Sequence, residues 1–378
     1  MGGLHYIKNL IKTVRQYNEQ ANAHFKVDLL VYEHTQKELF DDIRNDIDNI
    51  YVYSDDLGRP SLFNKARWWI KRRFLDVIHP RLDEFIVRKG YCFVYPALPR
   101  KQFRKYRFAE WIPDFQYRHF PDGSNKEEID GRKKEFDFTS RNAPLIYVSS
   151  KHALNDCEEL FPASRGKIAV MQFCVFSDPL QFTESIQDVR AVYSIPEKYF
   201  MISNLLAPTK NLQVVIRAAG ILKKKGVSIP IVVSGDLHDY RNPDFKHHIF
   251  QLINKENVRN ELIILGLLPR IRQKQLLVHS LAIIQPSRFE GWNTLVEEAK
   301  WLDKQILISD IPVHLEQSPP KAIFFKDNDA VDLAIKLEEV FNDSSEPPAI
   351  ATVAMAPAYA EQVERFAKHF MNTSMAEE

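Results

Sequence analysis

The chain has 378 residues, 45% of them apolar and 27% charged, with a net charge of +1. At roughly 100–200 residues per domain this supports two cores, and it excludes both a disordered chain and a globally basic nucleic-acid binder. Cys92, Cys157 and Cys174 stand far apart, with neither metal-ligand spacing nor a disulfide framework, which fits a reducing compartment.

In the first half, residues 27–32, 50–53, 91–95 and 145–148 read as strands and residues 7–17 and 64–77 as helices. A loose α/β domain is expected there. Residues 61–110 hold 13 Lys/Arg against 4 Asp/Glu. The runs Arg67-Trp68-Trp69-Ile70-Lys71-Arg72-Arg73-Phe74 and 100–108 mix cations with aromatics. An interfacial helix on anionic lipid uses that mixture, and so does a groove for a lipid diphosphate. The plain alternative has the aromatics in a core and the cations solvated. No nucleic-acid motif accompanies the zone.

Residues 177–198 carry Pro179 and Pro196 with little periodicity, and an interdomain linker is placed there. Beyond it, nearly continuous apolar runs at 199–205, 229–234, 262–265, 281–285 and 305–309 alternate with helical patterns at 212–225, 243–255, 270–279 and 294–302. Strands buried on both faces have this composition, and strand–helix alternation specifies a parallel sheet. Residues 344–356 read as a connector and 359–370 as a last helix. The expected organisation is therefore an N-terminal Rossmann-like domain over 1–180, a C-terminal one over 181–355, and a helix over 356–378 that crosses back to the first. No apolar run nears the roughly 18 residues of a membrane span, and the start has no apolar leader core. A cytoplasmic protein is expected, with any membrane contact peripheral.

The segment Gln285-Pro286-Ser287-Arg288-Phe289-Glu290-Gly291-Trp292-Asn293-Thr294-Leu295-Val296-Glu297-Glu298-Ala299 follows a buried strand and opens a helix. Gly291 presents no Cβ to an approaching ligand. The free N–H groups of Trp292, Asn293, Thr294 and Leu295 would suit a diphosphate. In open parallel sheets, ligands sit at the carboxyl ends of the strands. Glu290 precedes the helix and Glu298 lies inside it, so the pair spans a ligand rather than sharing a helical face. Carboxylates accept from vicinal hydroxyls. The alternative is a solvated acidic helix start favoured by the helix dipole.

Pro-Ser-x-x-Glu-Gly followed by Glu-Ala resembles the E-x7-E signature of retaining family 4 glycosyltransferases with the GT-B fold. Lys210-Asn211, Ser234-Gly235-Asp236, Leu265-Gly266-Leu267-Leu268-Pro269 and Ser309-Asp310-Ile311-Pro312-Val313-His314-Leu315-Glu316, each at a strand end, are similar to that family too. Trp111-Ile112-Pro113-Asp114-Phe115-Gln116, with His119 and Pro121, resembles the acceptor side of a bacterial subset that builds surface polysaccharide. The likeness is strong over 105–340 and weak over 15–100.

The resemblance implies two Rossmann-like domains facing across a cleft. It implies a metal-independent hexosyltransferase that takes a nucleoside-diphosphate sugar as donor substrate, needs no cofactor, and acts on a glycan or lipid-linked acceptor. Glu290 would bind the donor sugar, Glu298 the ribose and Lys210 the diphosphate; Leu267 and its neighbour Gly266 would flank the base, and Gly235 would line the donor site. Gly2 and Gly3 would form a phosphate-side turn, and His119 or Asp114 would face the acceptor.

Two positions depart from the pattern. Leu205 stands where the family has Arg, with Arg288 as the candidate replacement. No residues precede Gly2-Gly3 to make the first N-domain strand, so a start cropped upstream is expected. A non-catalytic sugar-nucleotide or glycan-binding relative is the alternative function. Asp46-Ile47-Asp48 and Asp327-Asn328-Asp329 match a metal-binding D-x-D but sit outside the expected site. The second reads as a helix cap before Ala330. His247-His248 reads as an exposed helical pair.

Overall fold

The structure, a computed structural model, describes residues 2–21, 24–33, 36–53, 57, 65, 67–69, 79–97, 106–121, 125–175, 179–239, 241–343, 350 and 352–375. The chain divides into two compact units. One comprises Met1–Phe115, Lys126–Phe176 and Glu361–Glu378, the other Gln116–Asn125 and Ser177–Ala360.

The C-terminal unit is built on six strands: β1 (Phe200–Ser203), β2 (Ile231–Ser234), β3 (Leu262–Gly266), β4 (Ile283–Gln285), β5 (Ile306–Ser309) and β6 (Ala322–Phe325). All pair in parallel, in the order β3-β2-β1-β4-β5-β6. Helices α1 (Leu212–Lys224), α2 (Phe245–Glu256), α3 (Arg270–His279), α4 (Thr294–Trp301), α5 (Pro312–Gln317) and α6 (Ala330–Asp343) connect or follow them. Alternation along each strand fills two cores. Ile202, Val233, Ile284 and Leu307 pack with α1, α2 and α6. Met201, Val232, Ile283 and Ile306 pack with α3 and α4. Strand direction of progress reverses between β1 and β4, which opens a crevice at their carboxyl ends.

The five expected strands and four expected helices of this half all form, within two residues at each end. Residues 177–198 are not a bare connector. They contain a short strand, Leu180–Gln181, and the helix Ile186–Tyr193, whose Ile186 and Val189 are buried in the second core. Ser185 caps that helix by accepting from the Asp188 N–H, and the two prolines flank it instead of breaking it. Strand β6 and helix α5 were not anticipated, and of α6 only the cap before Ala330 was.

In the N-terminal unit the strands pair in three small parallel sets. Asp28–Val31 lies on Asn49–Val52, Phe93–Val94 on Arg107–Phe108, and Glu110–Ile112 on Ile146–Val148, which carries Ile168–Val170. Gly2 and Gly3 do not turn behind a strand: they lie in the first turn of the helix Gly2–Ala21. Its Tyr6 is buried, stacked on Trp111 at 4.5 Å between ring centroids. The helices Lys126–Asn142 and Lys151–Leu160 escaped the periodicity argument because their apolar residues are sparse. Of the expected helix 64–77, Arg67 and Trp68 both donate to Glu84. Lys71, Arg72 and Arg73, and most of the 100–108 run, lie outside the described residues. The last helix runs Pro357–Met375, longer than expected. Among the described residues no helix is long and apolar enough to cross a membrane.

Candidate functional site

The crevice at the carboxyl ends of β1 and β4 is lined from residues that end strands. Behind β2, Gly235 has φ +133°, and a Cβ there would lie 1.9 Å from the Asn204 carbonyl oxygen. Only glycine fits, because the loops after β1 and β2 are in backbone contact. The Gly235 N–H donates to Gly266 O, and the Asn204 N–H donates to Ser234 O. Asn204 and Gly266 are thereby drawn into one rim. Asn204 Nδ2 then donates to Gln285 Oε1 at 2.9 Å, bridging the point where strand order reverses.

From Gln285 the polar network passes to Glu290. Gln285 Nε2 donates to Ser287 Oγ at 2.8 Å and to Glu290 Oε1 at 3.2 Å. Asn293 Nδ2 donates to the same oxygen at 2.9 Å. Lys210, in a single turn after β1, places Nζ 2.6 Å and 2.7 Å from the two Glu290 oxygens. Glu290 is only 9% exposed, so its charge is held by this cation and the two amides.

Asn293 is also the cap of α4: its Oδ1 accepts from the Val296 N–H at 3.1 Å. Gln317 clamps the Asn293 backbone from the end of α5, accepting from its N–H at 3.1 Å and donating to its carbonyl at 3.0 Å. One of the four N–H groups expected to be free is otherwise placed: the Asn293 N–H donates to Gln317. Thr294 and Leu295, first in the helix, still have no carbonyl to reach within it. His314 underlies the same turn. Its Nδ1 lies 3.0 Å from Ser309 O, so that nitrogen carries the proton, and Nε2 faces Asn293 Nδ2 at 3.5 Å. Burial pushes the imidazole down to about 4, which keeps it neutral at pH 7.

At the other end, Glu298 is 3% exposed and faces α3. Lys274 Nζ lies 2.9 Å from Oε1, and Arg270 donates to the same oxygen. Burial pushes the Glu298 carboxyl up, but the two cations outweigh it and bring it down to about 2. Glu297, fully buried beside it, accepts from Gln317 at 2.8 Å and Tyr359 at 3.0 Å, which anchors α4 from behind.

The structure thus brings Lys210, Gly235, Gly266, Glu290, Gly291, Trp292, Asn293, Thr294 and Glu298 onto the strand ends and helix start of one unit. Leu267 is 66% exposed beyond β3. His119 belongs to the same unit, its ring stacked on Phe289 at 5.1 Å, one residue from Glu290. Arg288 lies over Phe120 at 5.1 Å. Asp114, Gly2 and Gly3 belong to the N-terminal unit, where Asp114 lies 4.0 Å from Arg132. Asp329 caps α6, accepting from Val331 and Asp332, as its place in the sequence suggested. His247 and His248 are exposed on α2. Gln285, His314, Gln317, Arg270 and Lys274 were not anticipated; Gln285 ends β4 and Arg270 begins α3, while nothing local marks the other three.

Residues 185–354 match a family model described as glycosyl transferases group 1. No curated protein sequence matches the chain. Among solved structures, HepE of Anabaena in complex with UDP is similar at 14% identity, over 97% of this chain and 94% of that one, with a TM-score of 0.63. Sucrose-phosphate synthase of Thermosynechococcus elongatus is similar at 13% identity over 96% and 88%, with a TM-score of 0.58. A glycosyltransferase of Rickettsia africae is similar at 14% identity over 98% and 91%, with a TM-score of 0.57. The fold is GT-B: mixed α/β with parallel sheets in two Rossmann-like units.

Proposed function

We propose that the chain is a retaining, metal-independent hexosyltransferase that moves a sugar from a nucleoside diphosphate to a glycan or lipid-linked acceptor in surface-polysaccharide assembly. The observation that carries the reading is the coupling of Lys210 to Glu290 at the strand-order reversal, beside the open start of α4. A diphosphate is bound by a cation and free helix N–H groups, and a sugar by a carboxylate. All three are adjacent here. HepE is held with UDP, which makes UDP-sugars the first donors to try.

In the reaction the bond from the anomeric carbon to the diphosphate oxygen breaks, and negative charge grows on the leaving group. Lys210 and the N–H groups of Thr294 and Leu295 stabilise that charge where it forms. Lys210 leaves Glu290 for the phosphate, and Glu290 turns to the sugar hydroxyls. Its two amide partners, Gln285 and Asn293, keep it in place during the exchange. The acceptor oxygen bonds to the anomeric carbon from the leaving group's own face, and its proton passes to the departing phosphate oxygen. Glu298 accepts from the ribose, and Leu267 lies against the base. His119 or Asp114 is assigned to the acceptor. Trp69, 62% exposed in the basic zone, supports peripheral contact with a lipid surface.

The test is release of nucleoside diphosphate from UDP-, GDP- and ADP-hexoses in the presence of saccharide acceptors. Turnover with one donor class that disappears in Glu290→Ala, with the variant still folded, supports the reading. Binding without turnover in the unaltered protein indicates a sugar-nucleotide-binding relative instead.

A further inference from the structure

Helix α3 presents Arg270, Gln273 and Lys274 at spacings of three and four residues, which share one face. That face is tied to the crevice: Gln273 donates to Ser203 at the end of β1, and Arg270 Nη1 donates to Gln273 Oε1 at 2.8 Å. Arg270 keeps 52% of its side chain exposed, whereas Lys274 keeps 5%. A lysine buried to that depth is unfavourable unless it is paired, and its partner is the carboxylate of Glu298. Both cations converge on Oε1. Oε2 takes no hydrogen bond from a described residue, and the Glu298 side chain keeps 4% exposure.

Resting on the reading of the crevice as a nucleoside-diphosphate site, the geometry points to Lys274 as a positioning residue: it pins Oε1 from inside the fold so that Oε2 stays outward to accept from the ribose hydroxyls. Arg270 reinforces that hold from the exposed side. Lys274 does not touch the ligand and acts only through Glu298. Burial lowers the Lys274 amine and the neighbouring carboxylate opposes this, which fits a charged pair kept as a unit. A lysine serving α3 alone would have no effect on which nucleotide is held.

The experiment measures affinity by calorimetry for UDP, GDP and ADP, then for the 2′,3′-dideoxy counterpart of the tightest binder. The unaltered protein is expected to prefer the ribonucleotide by roughly tenfold or more, the effect of a hydrogen bond to a charged group. Lys274→Met is expected to abolish that preference and Lys274→Arg to keep most of it. The cycle with Glu298→Gln isolates the route: Glu298→Gln alone and Glu298→Gln with Lys274→Met should show the same weak preference. The double variant leaves no unpaired buried charge, so it serves if the single one does not fold. An unchanged preference in Lys274→Met, or a further loss in the double variant, overturns the inference. Binding by the unaltered protein with no ribose preference overturns it while leaving the diphosphate reading intact. Binding of none of the three overturns both.

Discussion

Glu290 and Glu298 are buried to similar depth at the two ends of one site, and they are held by opposite means. Glu290 rests on two neutral amides and one partly exposed lysine. Glu298 sits under two cations on a single oxygen. A carboxylate with neutral donors in place can release its cation to a phosphate and stay put. A carboxylate that depends on its cations cannot, and it serves better as a fixed acceptor. On the proposed reading, the crevice has an adaptable end where charge would move and a rigid end that would hold the nucleotide.

The largest effect expected is on the adaptable end. Glu290→Ala and Lys210→Met should each lower turnover by about 10²–10³-fold, the loss seen when one electrostatic partner of a transition state is removed. Because the two act as a unit, the double variant should fall little further. Additive losses would separate them.

The next prediction strikes the rim beneath Glu290. Gly235→Ala drives a Cβ into the Asn204 carbonyl at a φ that disfavours it. Urea unfolding should show a loss of about 3 kcal/mol or more. Near-normal stability would mean that the loops after β1 and β2 can part.

A pH experiment follows. The His314 imidazole has a folded value of about 4 against 6.5, so as pH falls the unfolded chain takes the proton first. Stability should fall between pH 6.5 and 4, by about 3 kcal/mol, and His314→Gln should flatten that slope. Glu298 behaves in the same sense, in a lower window. Its lowered carboxyl adds stability above 4.5, which is lost only as pH falls toward 2. The two windows meet near pH 4, and separate slopes above and below it would mark the two ends individually. The smallest effect is a control: Arg141→Ala removes an exposed pair with Asp137 and should leave the urea midpoint unchanged.

The C-terminal half was legible because its strands are buried on both faces. Ile231, Val232 and Val233 announce a parallel strand without help from tertiary context. Strand β6 was missed because Ala322, Ile323 and Phe324 are only half-buried at the sheet edge and too short a run to stand out. The helix Ile186–Tyr193 was hidden by the prolines around it, which mark its limits, not its absence. In the N-terminal half the four expected strands form, at Asp28–Val31, Asn49–Val52, Phe93–Val94 and Ile146–Val148, whereas Arg107–Phe108, Glu110–Ile112 and Ile168–Val170 carry too little pattern to read.

At the site, residues joined by a local motif were legible and those joined across the fold were not. Glu290 and Glu298 belong to one segment. Lys274 comes from another helix, His314 from the one after β5, and Gln317 from that helix's end. Nothing local distinguishes a lysine in α3 from a solvated one until the fold closes over it.

The most direct test is a crystal structure of the protein soaked with UDP, GDP or ADP. The account places the diphosphate between Lys210 and the first turn of α4, with the ribose hydroxyls on Glu298. A nucleotide bound elsewhere, or one bound there with Lys210 still on Glu290 and Glu298 untouched, would contradict it.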